Sequence, residues 1–190
     1  MCVIIVKNKG VEMPSKKELK LAFEHNPHGW GLVSSNGIFA HGMDFKTFLS
    51  ILKGVSTEDA CIIHFRIATH GSVGIKNCHP FKGELGGQPI YFAHNGILPI
   101  RPVGDMTDSE TEFRKVILPA AEIFGYGSPD FNAMIARRIG YSKFAFMRFG
   151  KIKVYGRWLR EDNGLMWSNL NHRTWGYCAT VYDQNRVIYV

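Results

Sequence analysis

Short runs of β-branched and aromatic residues alternate along this chain with polar segments that carry turn and helix-start signals. This alternation constrains the fold most, because such runs have the length of strands and fall short of the roughly 20 apolar residues of a membrane-spanning helix. The runs lie at residues 2–6, 60–67, 90–94, 143–149, 152–158 and 186–190. Those at 60–67 and 90–94 predict central strands of a sheet.

Helix-start signals precede four of the segments between these runs. A Ser, Thr or Asp before a helix accepts hydrogen bonds from free backbone N–H groups, and a Glu three residues later completes a capping box. The signals are Ser15 with Glu18, Asp44, Thr107 with Glu110, and Ser128 before Pro129. We expect the helix after Thr107 to be kinked or interrupted at Pro119, which lacks a backbone N–H.

The order of these elements predicts an α+β layered fold. The pair Asn36-Gly37 favours a β-hairpin with a positive φ at both turn residues, and Gly150-Lys151 separates two further strand-like runs. Adjacent hairpins with helices grouped between them are typical of layered α+β domains. At 190 residues the chain can form one well-buried core but is too short for two ordinary domains, so we expect a single domain over residues 1–190.

Composition and cysteine usage predict a cytoplasmic protein. Hydrophobic residues make up 45% of the chain and charged residues 21%, as in globular proteins. The opening segment MCVIIVKNKG has too short an apolar run for a signal peptide. The four cysteines are widely separated and include no C-x-x-C pair. We therefore expect a reducing compartment, no disulfide framework and no membrane partner.

A net charge of +7 raises the alternative of nucleic-acid binding. Aromatic and basic residues interleave towards the C-terminus, where stacking and phosphate contacts would be the chemistry of such a module. These residues are Phe144, Phe146, Phe149, Tyr155, Arg157, Trp158 and Arg160. Strand alternation instead predicts that one face of this region is core and the other is solvated. Because the basic residues are also dispersed, nucleic acid is the less favoured partner.

The start of the chain carries a candidate nucleophile. Removal of Met1 would leave Cys2 with both a thiol and a free α-amine, whose ordinary pKa of about 7.7–8.0 lets it accept a proton near neutral pH. A nucleophile activated by its own N-terminal amine is an established catalytic arrangement. Alone, this signal does not outweigh the alternative that Cys2 is a buried residue of the first strand.

Three further polar groups follow strand-like runs or open a helix. They are Arg66 with Thr69 and His70, Asn95 with Gly96, and Asp108. An arginine beside hydroxyl and imidazole donors suits a carboxylate ligand, and an Asn amide beside an unhindered Gly N–H can form an oxyanion hole. The carboxylate in the first turn of a helix can bind an ammonium group or complement the helix dipole. Taken singly, these residues are better explained as a surface arginine, an Asn-Gly turn and a dipole partner.

Taken together and in this order, these residues resemble the class II glutamine amidotransferase domains of the N-terminal-nucleophile hydrolases. The segment RIATHG at 66–71 is similar to the arginine motif in the glutaminase domain of glucosamine-6-phosphate synthase. HGWGL at 28–32 is similar to a segment of small stand-alone members. The resemblance runs over residues 2 to about 112, and WSNL at 167–170 is a weaker echo.

The resemblance implies a four-layer αββα sandwich and hydrolysis of glutamine to glutamate and ammonia. It implies that Cys2 attacks the side-chain amide and forms a thioester, with its own amine moving the proton. The remaining roles that it implies are Arg66, Thr69 and His70 for the substrate α-carboxylate, Asp108 for the α-ammonium, and Asn95 with Gly96 for the oxyanion. It also implies a separate synthase or ligase that accepts the ammonia.

The chain departs from the family at Ile67, where many relatives carry Trp or Tyr after the arginine. If that aromatic ring helps to close the site over the substrate in relatives, this part of the family's mechanism does not extend to the present chain. Two alternatives stay open, namely an amidase for another amino-acid amide and the non-catalytic nucleic-acid-binding module. The eight histidines show no H-E-x-x-H motif or zinc-type spacing, and no phosphate-binding glycine loop is present, so we expect no metal and no other cofactor.

Overall fold

The structure is a computed structural model that describes residues 2–68 and 73–173. Within these ranges the chain forms ten strands: β1 (Val3–Lys7), β2 (Trp30–Ser34), β3 (Phe39–Gly42), β4 (Cys61–Phe65), β5 (Phe81–Leu85), β6 (Gln88–Asn95), β7 (Lys143–Arg148), β8 (Lys151–Tyr155), β9 (Leu159–Arg160) and β10 (Met166–Trp167). The five α-helices of the same ranges are α1 (Lys16–His25), α2 (Phe45–Leu52), α3 (Asp108–Glu112), α4 (Leu118–Phe124) and α5 (Pro129–Ile139). None of these helices is long and apolar enough to cross a membrane. The strand predicted at 186–190 lies outside the described residues.

Two antiparallel sheets carry the fold. Among the described strands, the first sheet has the order β3-β2-β4-β1-β10-β9 and the second the order β5-β6-β7-β8. The predicted runs at 60–67 and 90–94 correspond to β4 and β6, and both lie inside their sheets, as predicted. Val3 of β1 pairs with Phe65 of β4. This register places the residue before β1 beside the residue after β4.

Side chains that alternate along the strands divide the core into three clusters, which define four layers. Between the sheets, Ile4 and Ile62 of the first sheet pack with Met147 of the second. The other face of the first sheet is covered by α1 and α2, with Phe48 among the buried contacts. The other face of the second sheet is covered by α3, α4 and α5, with Phe131 among the contacts. The predicted αββα sandwich is confirmed.

All four predicted helix starts are confirmed by a cap hydrogen bond. In each case the side-chain oxygen accepts from the N–H three residues later, and the capping residues are Ser15, Asp44, Thr107 and Ser128. The second half of the capping box does not form. Glu18 pairs with Arg173 and Glu110 pairs with Arg114 instead. An arginine offers a charge-assisted bond, which is stronger than a bond from a backbone N–H alone.

The helix that begins after Thr107 is interrupted, as the proline predicts. α3 continues into a π-helical turn at Phe113–Ile117 and then into α4, in which Pro119 is the second residue. Pro119 has no N–H for the α-helical bond to the fourth residue before it, and the wider turn directly precedes it. Phe113 and Ile117 both contribute to the core behind the second sheet.

The hairpin turns differ in detail from the prediction. Between β2 and β3 only Gly37 has a positive φ, of 95°, although the sequence predicts one at Asn36 as well. The Asn36 side chain accepts from the Ser34 hydroxyl and donates to the Asp59 carboxylate at 3.1 Å, so these contacts hold it in a different conformation. Between β7 and β8 the positive-φ pair is Phe149-Gly150, with φ of 52° and 70°.

The aromatic and basic C-terminal region follows the predicted strand alternation. Phe144 and Phe146 of β7 are fully buried in the core behind the second sheet. Arg157 and Arg160 are exposed, and Phe149 is exposed at the turn after β7. The buried rings cannot stack on nucleic-acid bases, and the prediction of one core face and one solvated face is confirmed.

Candidate active site

A cavity of about 520 Å³ lies beside the start of β1 and the C-terminal ends of β4 and β6. Five of the seven predicted site residues line it, namely Cys2, Arg66, Asn95, Gly96 and Asp108. They come from four places in the fold: the residue before β1, the residue after β4, the end of β6 and the start of α3. The other two, Thr69 and His70, lie outside the described residues.

Cys2 lies against the segment that follows β4. Its Sγ is 3.4 Å from both the N and the O of Ile67, so the Ile67 N–H donates to the sulfur and the thiol donates to the carbonyl. Burial raises the pKa of the Cys2 thiol, although the Ile67 N–H and the charge of Arg66 act in the opposite direction. A thiol with a raised pKa is protonated near neutral pH, so it requires a base before it can act as a nucleophile.

Arg66 brings a buried positive charge to the cavity. The residue is 4% exposed, its N–H donates to Gly29 O at 2.8 Å, and its carbonyl accepts from His28 N–H at 2.9 Å. Nη1 of Arg66 is buried and has no hydrogen-bond partner among the described residues. Because a buried charge without a partner is costly, this position suits a bound anion.

The HGWGL segment shapes the wall next to Arg66 through two glycines. A Cβ on Gly31 would lie 1.9 Å from His79 O, and a Cβ on Gly29, which has a φ of 116°, would lie 2.5 Å from Cys78 Sγ. Only glycine therefore lets residues 78 and 79 lie directly against this segment. Since His79 lines the cavity, the two glycines of this motif fix the position of one cavity wall.

Asn95 and Gly96 end β6 at the edge of the cavity. Asn95 Nδ2 donates to Ser168 Oγ at 2.7 Å, while the buried Asn95 Oδ1 has no hydrogen-bond partner among the described residues. Gly96 has a φ of 144°, and a Cβ there would lie 2.2 Å from Ser142 Oγ and 2.8 Å from Ser142 Cα. The backbone therefore requires glycine at this position, and no side chain of residue 96 hinders its N–H.

Asp108 is the first residue of α3, and two backbone N–H groups orient its carboxylate. Leu98 N–H donates to Oδ2 at 3.2 Å and Ser109 N–H donates to Oδ1 at 2.8 Å. The residue is partly exposed and lines the cavity. Each carboxylate oxygen can accept a further bond, so the group can bind an ammonium ion while it also complements the helix dipole.

Three buried histidines next to the cavity were not predicted as part of the site. His79 and His94 line the cavity, and the His79 ring lies 4.3 Å from that of His64, measured between centroids. Burial lowers the pKa of His79 and of His94 to about 3 and lowers that of His64 well below its usual value. The rings are thus neutral at pH 7. In residues 2–68 and 73–173, no three His, Cys, Asp or Glu side chains are grouped to hold a metal ion.

The segment after β10 is the second part of the site that sequence reasoning missed. Ser168 accepts from Asn95 Nδ2, and Asn169 Nδ2 donates to the Cys2 carbonyl at 2.7 Å. These two residues are the Ser and Asn of the WSNL segment at 167–170, whose weak similarity to the family is the one sequence signal for them. Their partners lie more than seventy residues away in sequence. The pairing of β1 with β10 brings Asn169 to Cys2, and the packing of the two sheets brings Ser168 to Asn95.

Comparisons with known proteins match a part of the chain that includes Arg66, Asn95 and Asp108. Residues 50–133 match the sequence family of class II glutamine amidotransferases. The resemblance to class II glutamine amidotransferases is confirmed. A candidate glutamine amidotransferase of Haemophilus influenzae is 46% identical over 61 residues, which cover 27% of this chain and 20% of that protein. The candidate glutamine amidotransferase YafJ of Escherichia coli is 33% identical over 110 residues, which cover 46% of this chain and 41% of that protein.

The alignments therefore span less than half of each of these two relatives. A solved structure, the glutamine phosphoribosylpyrophosphate amidotransferase of B. subtilis in complex with ADP and GMP, is similar with a TM-score of 0.61 at 17% identity. The similarity covers 88% of this chain and 42% of that chain. At this identity it shows the fold alone, and that fold agrees with the predicted αββα sandwich.

Proposed function

We propose that this protein hydrolyses glutamine with Cys2 as the nucleophile. The observation that carries the proposal is that one cavity is lined by a thiol, a carboxylate, an Asn-Gly pair and a buried guanidinium, one nitrogen of which has no partner in residues 2–68 and 73–173. Glutamine has the complementary groups, since it carries an α-carboxylate, an α-ammonium and a side-chain amide. The match of residues 50–133 to class II glutamine amidotransferases supports the same substrate.

In this proposal Arg66 and Asp108 hold the amino-acid end of the substrate. The planar guanidinium of Arg66 binds both oxygens of the α-carboxylate, and Thr69 and His70 add further donors. The Asp108 carboxylate accepts hydrogen bonds from the α-ammonium. Two opposite charges at separate points of the cavity orient glutamine, and an amide without an α-carboxylate is rejected because it would leave the buried Arg66 charge without its anion.

The reaction begins after Met1 has been removed and Cys2 has a free α-amine. The amine accepts the thiol proton, and the sulfur attacks the amide carbon, so that a C–S bond forms and the carbonyl oxygen becomes an oxyanion. The C–N bond then breaks and the amine returns the proton to the departing nitrogen, which leaves as ammonia. Water attacks the remaining γ-glutamyl thioester, with the amine again as base, and glutamate and the thiol are released.

Asn95 and Gly96 are the proposed donors to the oxyanion. The side-chain nitrogen of Asn95 and the backbone N–H of Gly96 would lie on the same side of the reacting carbonyl. Removal of one such donor typically lowers the rate by about 10²–10³. We also propose that a separate synthase or ligase takes up the ammonia, which is supported by the match of residues 50–133 to class II glutamine amidotransferases.

Intact-mass analysis with a glutamine-mimicking diazoketone tests the nucleophile and the substrate together. We expect loss of Met1 and a single adduct that maps to Cys2, with glutamate and ammonia formed from glutamine in equal amounts. Cys2→Ala should abolish both the adduct and the hydrolysis. Cys78→Ser is the matched control, because Cys78 is buried outside the cavity lining and should not be labelled. A processed protein that stays unlabelled and leaves glutamine intact would overturn the proposal.

The lining of the cavity favours one second candidate, an amidase for a larger amino-acid amide. The segment between β6 and α3 lines the cavity with apolar side chains, namely Ile97, Leu98, Ile100, Pro102 and Met106. A cavity of about 520 Å³ is in the range that holds drug-sized ligands, whereas glutamine has only about ten non-hydrogen atoms. A panel of γ-glutamyl amides decides between the two. If an amide with an apolar amine has a much higher kcat/KM than glutamine, the second candidate is correct.

A further inference from the structure

Ser168 is the residue after β10, and it links β1, the strand that begins after Cys2, to the side chain of Asn95. Its Oγ accepts from Ile4 N–H at 2.8 Å and from Asn95 Nδ2 at 2.7 Å, and its own N–H donates to Ile4 O at 2.9 Å. Ser168 is 3% exposed, so water does not compete for these bonds. The hydroxyl thus connects the first sheet, through β1, to the end of β6 in the second sheet.

Two groups at this contact lack partners. A hydroxyl has one proton to donate and two lone pairs, and Ile4 N–H occupies one of the lone pairs. With Asn95 Nδ2 at the other, the Ser168 proton has no acceptor and the buried Asn95 Oδ1 has no donor among the described residues. A half-turn of the amide about its Cβ–Cγ bond preserves its shape and satisfies both groups, because the hydroxyl then donates to Oδ1.

We infer that Ser168 holds the Asn95 amide in this second orientation and thereby sets the polarity of the oxyanion hole. The inference rests on the proposed function. The half-turn releases Nδ2 from Ser168 and places its N–H donors at the end of the amide for which the described part of the chain supplies no partner. A carbonyl oxygen there would repel a developing oxyanion, whereas an N–H stabilises it. Ser168 does not line the cavity and is a positioning residue that acts through Asn95.

Asn169, the residue after Ser168, holds the backbone of Cys2 in place. Asn169 Nδ2 donates to the Cys2 carbonyl at 2.7 Å, and Asn169 Oδ1 accepts from Asn171 N–H at 3.2 Å. Both ends of this amide have partners, so its orientation is determined without a half-turn. Ser168 and Asn169 are adjacent, so one short stretch of backbone positions both the nucleophile and the oxyanion donor.

A double-mutant cycle on glutamine hydrolysis tests the role of Ser168. We expect Asn95→Ala to lower kcat by about 10²–10³-fold, and Ser168→Ala to lower kcat by on the order of 10-fold or more with little change in KM. Because the hydroxyl acts through the amide, Ser168→Ala should have no further effect on kcat when Asn95 is already Ala. Ser168→Thr keeps a hydroxyl and should recover most of the rate.

Ser34→Ala is the matched control for loss of a buried hydroxyl. Ser34 is 4% exposed and its hydroxyl also bonds an asparagine side chain, but it belongs to the β2–β3 hairpin and does not line the cavity. Its removal should leave kcat and KM unchanged. If Ser168→Ala and Asn95→Ala reduce kcat independently, so that their effects multiply, or if Ser168→Ala raises KM alone, the inference is wrong although glutamine hydrolysis stands.

Nuclear magnetic resonance of the Asn95 side chain gives a test that does not depend on activity. Its signals are assigned by their absence from Asn95→Ala. If Oδ1 is bonded to Ser168, then Ser168→Ala should shift the carbonyl-carbon signal of the amide more than its nitrogen signal. The opposite pattern would place the nitrogen on Ser168 and overturn the inference. Absence of glutamine hydrolysis by the wild-type protein would instead refute the proposed function, so the two failures are distinguishable.

Discussion

The buried histidines beside the cavity predict a loss of stability in acid that begins near pH 6.5. An imidazole in the unfolded chain binds a proton at about pH 6.5. In the folded protein, burial lowers the pKa of His79 and of His94 to about 3, and the charge of Lys143 acts in the same direction on His94. Burial also lowers the pKa of His64 well below its usual value. Between these pH values the folded state therefore binds fewer protons than the unfolded state.

The sign and the size of the effect follow from this difference in bound protons. Stability rises with pH wherever the unfolded state binds more protons, so the contribution is fully present above about pH 6.5 and is lost as the pH falls towards 3. At pH 5.5 about ten unfolded histidines are protonated for each neutral one, so His79 and His94 together lower the free energy of unfolding by about 3 kcal/mol relative to pH 8. An ordinary domain has about 5–15 kcal/mol in total, so the loss is large.

Urea unfolding followed by tryptophan fluorescence between pH 8 and pH 5 measures this loss. His79→Gln removes one titrating group, so this variant should take up about one proton fewer on unfolding than the wild type. Its free energy of unfolding should therefore fall less steeply below pH 6. Phe81→Leu is the matched control, because the Phe81 ring packs 4.7 Å from that of His79. It should lower stability at every pH without changing the slope. Equal slopes for His79→Gln and the wild type would refute the reasoning, because His79 would then also be protonated in the folded state.

Three further predictions concern the site and the core. Arg66→Lys should raise KM for glutamine by about 10²-fold in steady-state kinetics, because an ammonium cannot bind both carboxylate oxygens, and the exposed Arg157→Lys should not. Lys7→Met should lower the free energy of unfolding in urea by about 2–4 kcal/mol, because the buried ammonium donates to three carbonyls of residues 56–59. Gly96→Ala should lose both hydrolysis and at least about 2 kcal/mol of stability, because its Cβ would overlap Ser142 and its φ is positive. Full activity of that variant would contradict the proposed oxyanion hole.

Most elements of the fold could be predicted because the interactions that start or end them are local. The four helix caps form between residues three positions apart, and both partners are visible in the sequence. The same is true of the proline interruption before α4. The two central strands were predicted from apolar runs whose residues are buried on both faces of each sheet.

Predictions failed where a distant residue supplied a stronger partner than the local one. The reciprocal capping bond of Glu18 is replaced by a charge-assisted bond to Arg173, which lies far away in the sequence. Asn36 does not adopt the expected positive φ, because its side chain bonds Asp59, which lies outside the hairpin and just before β4. No local pattern reveals such partners, since they depend on which elements pack together.

The candidate site divides in the same way. Cys2, Arg66, Asn95, Gly96 and Asp108 could be chosen from residue chemistry and order along the chain, and the structure places all five on one cavity. His79 and His94 could not be chosen, because histidines have many ordinary structural roles, and Ser168 had only the weak WSNL similarity to mark it. Their importance follows from contacts with residues of other strands.

The amino-acid sequence by itself determined the helix starts and the central strands, the chemistry that the chain can offer and the family that it resembles. These properties depend on side-chain identity and on interactions within a few residues. The tertiary structure alone decided that the thiol, the guanidinium and the carboxylate share a cavity, that Ser168 bonds Asn95, and that three imidazoles are buried without charge. Those outcomes depend on strand order and register, since antiparallel pairing of β1 with β4 and β10 brings together segments that lie far apart in the chain.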